Sequence, residues 1–183
     1  MAIEGREIPL RDGLLLRPLR QQDASALYSI IEENRNYLAE WMPWAEGQTL
    51  EGTLEFIRSA EKQQAEESGF HLAIVSGDEI IGVVGMHPID QVNRHGSLGY
   101  WISEAQQGRG TVTAAVRALT DHAFDGLGLN RVEIQVAPEN ERSVAIARSL
   151  GFAEEGVLRE VEHVGSRFLD HIVFSLLRSD RDV

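Results

Sequence analysis

The stretch Gln107-Gly108-Arg109-Gly110-Thr111 constrains this chain more than any other. It follows an apolar, aromatic run, Leu98-Gly99-Tyr100-Trp101-Ile102, which predicts a buried strand. It leads into Val112, Ala115, Val116, Leu119 and Ala123, whose spacing of three and four predicts a helix. A two-glycine loop therefore joins a strand end to a helix start. Such a junction aims unpaired backbone N–H groups and the positive end of the helix dipole at one point. A phosphate fits there, because glycine lets its oxygens approach the backbone closely. The same Gly-x-Gly pattern also serves as a plain tight turn, so the surrounding residues must decide. It is not a P-loop, since no Gly-Lys-Ser/Thr follows. Nor is it the dinucleotide fingerprint, which needs a third glycine and an acidic residue on the next strand.

Along the chain, helices alternate with strands. Leu14 to Leu19 reads as a first strand, and Asp23 can cap a helix with the inner stripe Leu27, Ile30, Ile31 and Leu38. Trp41-Met42-Pro43-Trp44 interrupts it as a loop. Thr49 can cap a second helix through Leu54, Ile57 and Ala60, ending near Gly69. Residues 70–75 and 79–86 read as a hairpin around Ser76-Gly77-Asp78. Past the two-glycine loop and its helix, Gly126 and Gly128 punctuate the helix end. A strand at 131–137, a helix at 141–150 and a last hairpin, 157–164 and 168–177 around Gly165-Ser166, complete the pattern. This succession predicts one domain over residues 1–183: a mixed α/β sheet with helices on both faces.

The chain has 29 acidic and 17 basic residues, a formal net charge of −12. A phosphate backbone would be repelled over most of such a surface, which argues against a nucleic-acid partner. A cationic substrate would be drawn in, although plain solubility also accounts for the charge. There are no cysteines, which excludes disulfides, thiolate–metal sites and a cysteinyl acyl intermediate. The segment Met1-Ala2-Ile3-Glu4-Gly5-Arg6 lacks a basic-then-apolar signal pattern, and no apolar run approaches the ~20 residues of a membrane span. A cytoplasmic protein with no membrane partner is the expectation, and a homodimer is compatible with it.

Residues 107–112 resemble the acyl-CoA pyrophosphate loop of the GCN5-related N-acetyltransferases (GNAT), Gln/Arg-x-x-Gly-x-Gly/Ala; Gln107 and Gly110 match and Val112 departs. Asn140-Glu141-Arg142-Ser143 followed by Gly151-Phe152 resembles that family's second motif. Asp90-Gln91-Val92-Asn93-Arg94, then Gly99-Tyr100-Trp101-Ile102, is similar to the Rim-type branch, which acetylates the N-termini of ribosomal proteins. The resemblance runs from Leu14 to Leu177. It implies a GNAT fold whose central sheet has two splayed parallel strands, with the pantetheine arm of acetyl-CoA in the gap. Ile102 would offer strand backbone to that arm. Gln107, Gly108, Arg109, Gly110, Thr111, Val112, Thr113 and Asn140 would complete the cofactor site.

Acetyl transfer needs an amine held against a thioester, a proton acceptor for the amine and a donor for the leaving thiolate. An α-amine of pKa about 7.7–8.0 is roughly a tenth neutral at pH 7. A lysine amine near about 10.4 would cost about 4 to 5 kcal/mol to deprotonate, so a carboxylate base suits an α-amine better. In the Rim-type pattern Gly-Phe-x-x-Glu-Gly-x-Leu-x-x-x-Glu, Glu155 and Glu162 both match, and Glu162 falls where the base is expected. Strand alternation sets Glu160 on the face of Glu162, where the two repel or simply meet solvent. Many family members protonate the thiolate with a tyrosine four residues before Gly-Phe; here that residue is Ala147, and Ser143 one turn away either bridges the proton or caps the helix. Trp41, Met42 and Trp44 pack the core or line the acceptor groove. The six histidines show no His-x-x-x-His spacing, so no metal is expected. No Gly-x-Ser-x-Gly elbow supports a hydrolase triad. The expected acceptor is the N-terminal α-amine of a basic protein. An enzyme acting on an antibiotic or polyamine, and a non-catalytic acyl-CoA sensor, are the alternatives.

Overall fold

The computed structural model describes residues 7–182; Met1 to Arg6, on which the absence of a signal segment was judged, lie outside them. Eight strands form one sheet. They are β1 (Ile8–Pro9), β2 (Leu14–Pro18), β3 (Phe70–Ser76), β4 (Glu79–Asp90), β5 (His95–Ile102), β6 (Arg131–Val136), β7 (Ala153–Val164) and β8 (Arg167–Leu177). Their order is β1-β2-β3-β4-β5-β6-β8-β7. β5 and β6 are parallel; every other neighbouring pair is antiparallel. The helices are α1 (Ala24–Glu33), α2 (Arg35–Ala39), α3 (Leu50–Ala65), α4 (Thr111–Asp121) and α5 (Glu141–Ser149).

Alternation along β3 shows how both faces are covered. Leu72 and Ile74 pack with Ala115, Val116 and Leu119 of α4, together with Val144 and Ala147 of α5. Ala73 and Val75 pack instead with Leu27 and Ile31 of α1, Leu38 of α2 and Ile57 of α3. The sheet is thus apolar on both sides where helices lie, as a two-face α/β fold requires.

Both expected hairpins turn at the expected residues, Gly77-Asp78 and Gly165-Ser166. The strands around them run longer, to Asp90 in β4 and from Ala153 in β7, because charged strand residues escape a hydrophobic reading. β1 was not expected, being two residues long. The first helix is broken at Asn34, whose side chain donates to Ile30 C=O at 2.8 Å. Asp23 does not cap α1 through its side chain. It turns back and accepts from both Arg17 guanidinium nitrogens, at 2.7 and 3.0 Å, and from Arg20 N–H at 2.8 Å. A buried carboxylate takes the fuller set of donors, and a bidentate arginine outbids one backbone N–H.

His71 lies under α3, edge-on to Phe56 at 5.0 Å and beside His87 at 4.7 Å, ring centroid to centroid. Burial, with His87 adding to it, pushes its pKa from 6.5 to about 4. The folded protein therefore holds His71 neutral where the unfolded chain would protonate it. That contribution to stability is intact above about pH 6.5 and is lost as the pH falls toward 4, with a full size on the order of 3 kcal/mol. Urea unfolding at pH 7 and 4.5 should show a larger loss for the wild type than for His71→Phe. Equal losses would mean that this ring carries no linkage.

Candidate active site

The site begins where β5 and β6 part. Their pairing runs only from His95 and Arg131 to Leu98 and Ile134. Beyond it, Gly99 to Ile102 stay paired to β4, and Gln135 and Val136 to β8. Each strand keeps its outer neighbour and loses its inner one. Ser103 N–H donates to Ile81 C=O on the β4 side at 2.9 Å. Alternation then turns the backbone groups of Tyr100 and Ile102 toward the gap. Arg131 N–H reaches Arg94 C=O at 3.2 Å on the β5 side, so Gln135 turns its own groups to the gap from the opposite wall. Exposed backbone of this kind calls for an amide-bearing partner.

At the outer end of the gap, Gly108 and Gly110 both adopt left-handed conformations, φ 72° and 71°. Gly110 caps α4 without a side chain, and intrahelical bonding starts with Ala114 N–H on Gly110 C=O at 3.0 Å. The first-turn N–H groups before it are left to point outward. Arg11 braces the loop from behind, donating to Arg109 C=O at 3.0 Å. A side chain at Gly110 would collide with that guanidinium.

A cleft of about 590 Å³ runs from this loop along the gap. It brings together Ile102, Gln107, Gly108, Gly110, Thr111, Val112, Thr113, Asn140, Ser143, Trp41 and Met42. Arg109 is not on its wall; its guanidinium turns to Ala105 C=O at 3.3 Å. A second cavity of about 150 Å³ is lined among others by Gly99, Gln135, Ala137, Glu162 and His171. Five residues line both: Trp41, Met42, Tyr100, Asn140 and Ser143. The two spaces therefore meet at the parting of the strands. Asn140 Oδ1 accepts from Ser143 N–H at 3.2 Å, so Asn140 is the cap of α5 and Ser143 is its beneficiary. Tyr100 Oη approaches Ser143 C=O at 3.5 Å. Burial pushes the Tyr100 hydroxyl up to about 12, with hydrogen bonding to Ser143 a smaller opposite pull. It stays neutral, a donor, at any working pH.

Arg35 shapes the opposite wall. It donates to the carbonyls of Ala45, Glu46 and Gln48 at 2.6, 2.9 and 2.9 Å, tying down the loop after Trp41 and Met42. Trp44, expected on the substrate side, lines neither cavity; it is exposed and tilts against Trp101 at 6.2 Å. Glu155 also lies away from them. It accepts from Arg131 at 2.8 Å and from the Ser175 hydroxyl, and these bonds hold its carboxyl below the usual range. Glu160 does not sit beside Glu162. Register shifts from Leu158↔His171 to Glu162↔Leu169, so β7 carries two extra residues, and Glu160 takes φ 50° in the bulge. Its N–H bonds Asp170 Oδ1 at 2.8 Å. The neighbour of Glu162 is His171, Nε2 to Oε2 3.1 Å. His171 and Tyr100 were missed from sequence. A signal for His171 existed: counting back from Gly165-Ser166 sets it on the face of Glu162 whether or not the bulge is foreseen.

Residues 13–153 match the model of the Acetyltransferase (GNAT) domain. The chain belongs to the GNAT acetyltransferase family. It is 34% identical over 173 residues to YdaF of Bacillus subtilis (strain 168), named provisionally as a ribosomal N-acetyltransferase, covering 93% of this chain and 94% of that one. It is 27% identical to the ribosomal-protein-serine acetyltransferase of Escherichia coli (strain K12), over 89% and 92% of the two chains. The spermidine N(1)-acetyltransferase of the same strain is 26% identical, over 90% and 86%. Mycobacterium smegmatis RimJ, solved with a CoA disulfide, superposes with a TM-score of 0.89 at 26% identity, over 95% and 88%. The protein is therefore an N-acetyltransferase that uses acetyl-CoA.

Gly110→Val should weaken acetyl-CoA binding at least tenfold by titration calorimetry, since a left-handed β-branched residue costs ~1–2 kcal/mol before any collision. Unchanged affinity in a folded variant would remove the loop from the cofactor site.

Proposed function

We propose that this protein transfers the acetyl group of acetyl-CoA to the N-terminal α-amine of a protein, with a basic ribosomal protein as the favoured class. The observation that carries this reading is the meeting of the two cavities at Tyr100, Asn140 and Ser143, with one carboxylate, Glu162, on the wall of the smaller. The N–H groups of residues 108–113 would hold the pyrophosphate, and the free backbone of Tyr100 and Ile102 would bond the pantetheine arm. The amine enters the smaller cavity between Glu162 and the thioester. Its nitrogen bonds the acetyl carbon, the C–S bond breaks, and the electron pair stays on sulfur. Glu162 takes the proton from nitrogen, directly or through water. Ser143 supplies the hydrogen bond that steadies the thiolate until it is protonated. With no cysteine in the chain, transfer is direct.

The sensor alternative rests on Ala147 standing where tyrosine is usual. Ser143 and Tyr100 bring two hydroxyls to the same junction, so a donor is not lacking. The similarity to a spermidine acetyltransferase keeps a small polyamine as the second reading. The net charge of −12 suits either cation.

A panel of peptides with free N-termini, the same peptides with blocked N-termini and internal lysines, and spermidine should be incubated with acetyl-CoA and read by mass spectrometry. Free α-amines should be acetylated fastest. Faster acetylation of internal lysines would refute the assignment, and a preference for spermidine would establish the second reading.

Glu162→Gln should lower kcat by ~10²–10⁴ at pH 7 and leave the KM for acetyl-CoA nearly unchanged. The deficit should shrink as pH rises through the amine's own titration. A variant with wild-type kcat from pH 6 to 9 would make this carboxylate structural. Ser143→Ala should also lower kcat, and less so with a thioester whose leaving thiol is more acidic.

A further inference from the structure

We propose that His171 is the positioning residue of the acceptor cavity: its ring holds the Glu162 carboxylate at the angle from which the amine proton is taken. The inference rests on the reading of Glu162 as proton acceptor. Among the described residues, His171 is the one basic group within 4 Å of the Glu162 carboxylate, with Nε2 3.1 Å from Oε2, and both residues line the smaller cavity.

The two residues are held very differently. Glu162 sits on the outermost strand, β7, directly after the two-residue bulge, and its side chain is 36% exposed. A glutamate there has three rotatable bonds and open solvent on one side, so nothing in its own strand fixes the carboxylate. His171 sits in β8, opposite Leu158 of β7 and next to Ile172, the last β8 residue paired to β6, and its side chain is 15% exposed. Its neighbours in sequence are also fixed: Asp170 binds the Glu160 N–H, and Ile172 is in the core. The imidazole is the anchored member and the carboxylate the mobile one.

The other groups facing the cavity do not compete for Glu162. Gln135 of β6, Trp41 and Met42 are uncharged, and Tyr100 of β5 stays neutral. With Nε2 of His171 set against Oε2, Oε1 is left as the acceptor for the amine. A misplacement of about 1 Å in such a contact can cost ~10²-fold in rate, which sets the scale of the expected effect.

The test is a kinetic cycle on the full-length protein with the best amine of the panel. His171→Leu should lower kcat about tenfold to a hundredfold and leave the KM for acetyl-CoA unchanged. His171→Gln, whose amide N–H reaches the same place, should recover most of that loss. On a Glu162→Gln background, His171→Leu should cost little more, because the group it positions is gone. Acetyl-CoA affinity measured by calorimetry identifies any variant that fails to fold, and His171→Gln then decides. A wild-type kcat in His171→Leu would overturn the proposal. So would a loss of equal size with and without the Glu162 carboxylate, which would make His171 a mere packing residue. A second readout needs no turnover: ¹⁵N spectra of the histidine rings should show His171 held with its proton on Nε2 in the wild type and released from that tautomer in Glu162→Ala. An unaltered tautomer would overturn the pairing. If the wild type acetylates no amine at all, the reading of the site falls on that result alone, and the ¹⁵N spectra still decide the pairing.

Discussion

The parting of β5 from β6 after Leu98 and Ile134 is the constraint on which the rest depends. A parallel pair inside a sheet normally bonds along its length, because buried backbone groups left unpaired are costly. Here each strand is held firmly on its outer side, β5 by antiparallel β4 and β6 by antiparallel β8. The inner edges can therefore separate without either strand being lost. The helices make the separation permanent. α4 starts at the outer mouth of the gap and α5 flanks it, and both are sealed to the sheet through Ala115, Val116, Leu119, Val144 and Ala147. The gap leaves free strand backbone inside the sheet that a linear, amide-rich molecule could bond. The two-glycine loop stands at its end because a helix must start there.

The glycine loop and the elements around it were legible from residues because their geometry is local. A strand, a loop with glycines at two left-handed positions and an amphipathic helix follow one another within the chain, so periodicity and turn chemistry locate all three. Asn140 and Ser143 were legible for the same reason, as a helix start. The failures share one physical cause. Asp23 and Glu160 were judged by nearest-neighbour rules, as a cap and a strand-face partner, and Glu155 by its place in the Rim-type pattern. Each is instead committed to a contact that such rules cannot see: Arg17, then Arg131 with Ser175, then a bulge braced by Asp170. Alternation fails where a strand takes in extra residues, and no pattern of apolar residues announces that a mostly exposed edge strand will do so.

The catalytic junction draws on three separate stretches of chain. Tyr100 comes from β5, Asn140 and Ser143 from the start of α5, and Glu162 and His171 from the last hairpin. Tyr100 and Ser143 line both cavities, and the one carboxylate, Glu162, lines only the smaller. This arrangement is the one the proposed transfer calls for, with a carboxylate for the amine proton and a hydrogen-bond donor near the sulfur. A neutral, desolvated Tyr100 remains a donor across the pH range in which an α-amine changes its charge, so the pH dependence of transfer falls to the acceptor side.

The acceptor wall is built on weaker foundations than the cofactor wall, and this has a consequence for specificity. Trp41 and Met42 belong to a segment with no strand to hold it. Its position is set by the break at Asn34, where Oδ1 also accepts from Glu104 N–H at 2.8 Å, and by Arg35 gathering three carbonyls of the following loop. On the far side Arg167, from the tip of the last hairpin, donates to Glu40 C=O at 2.9 Å and lies over the Trp41 ring at 5.9 Å. The segment that carries Trp41 and Met42 is thus held by side chain to carbonyl contacts between loops, whereas the larger cleft is walled in part by a hydrogen-bonded sheet. A fold that fixes one reactant with its sheet and the other with its loops can keep one reaction while its acceptors diverge, as relatives named for ribosomal proteins and for spermidine already do.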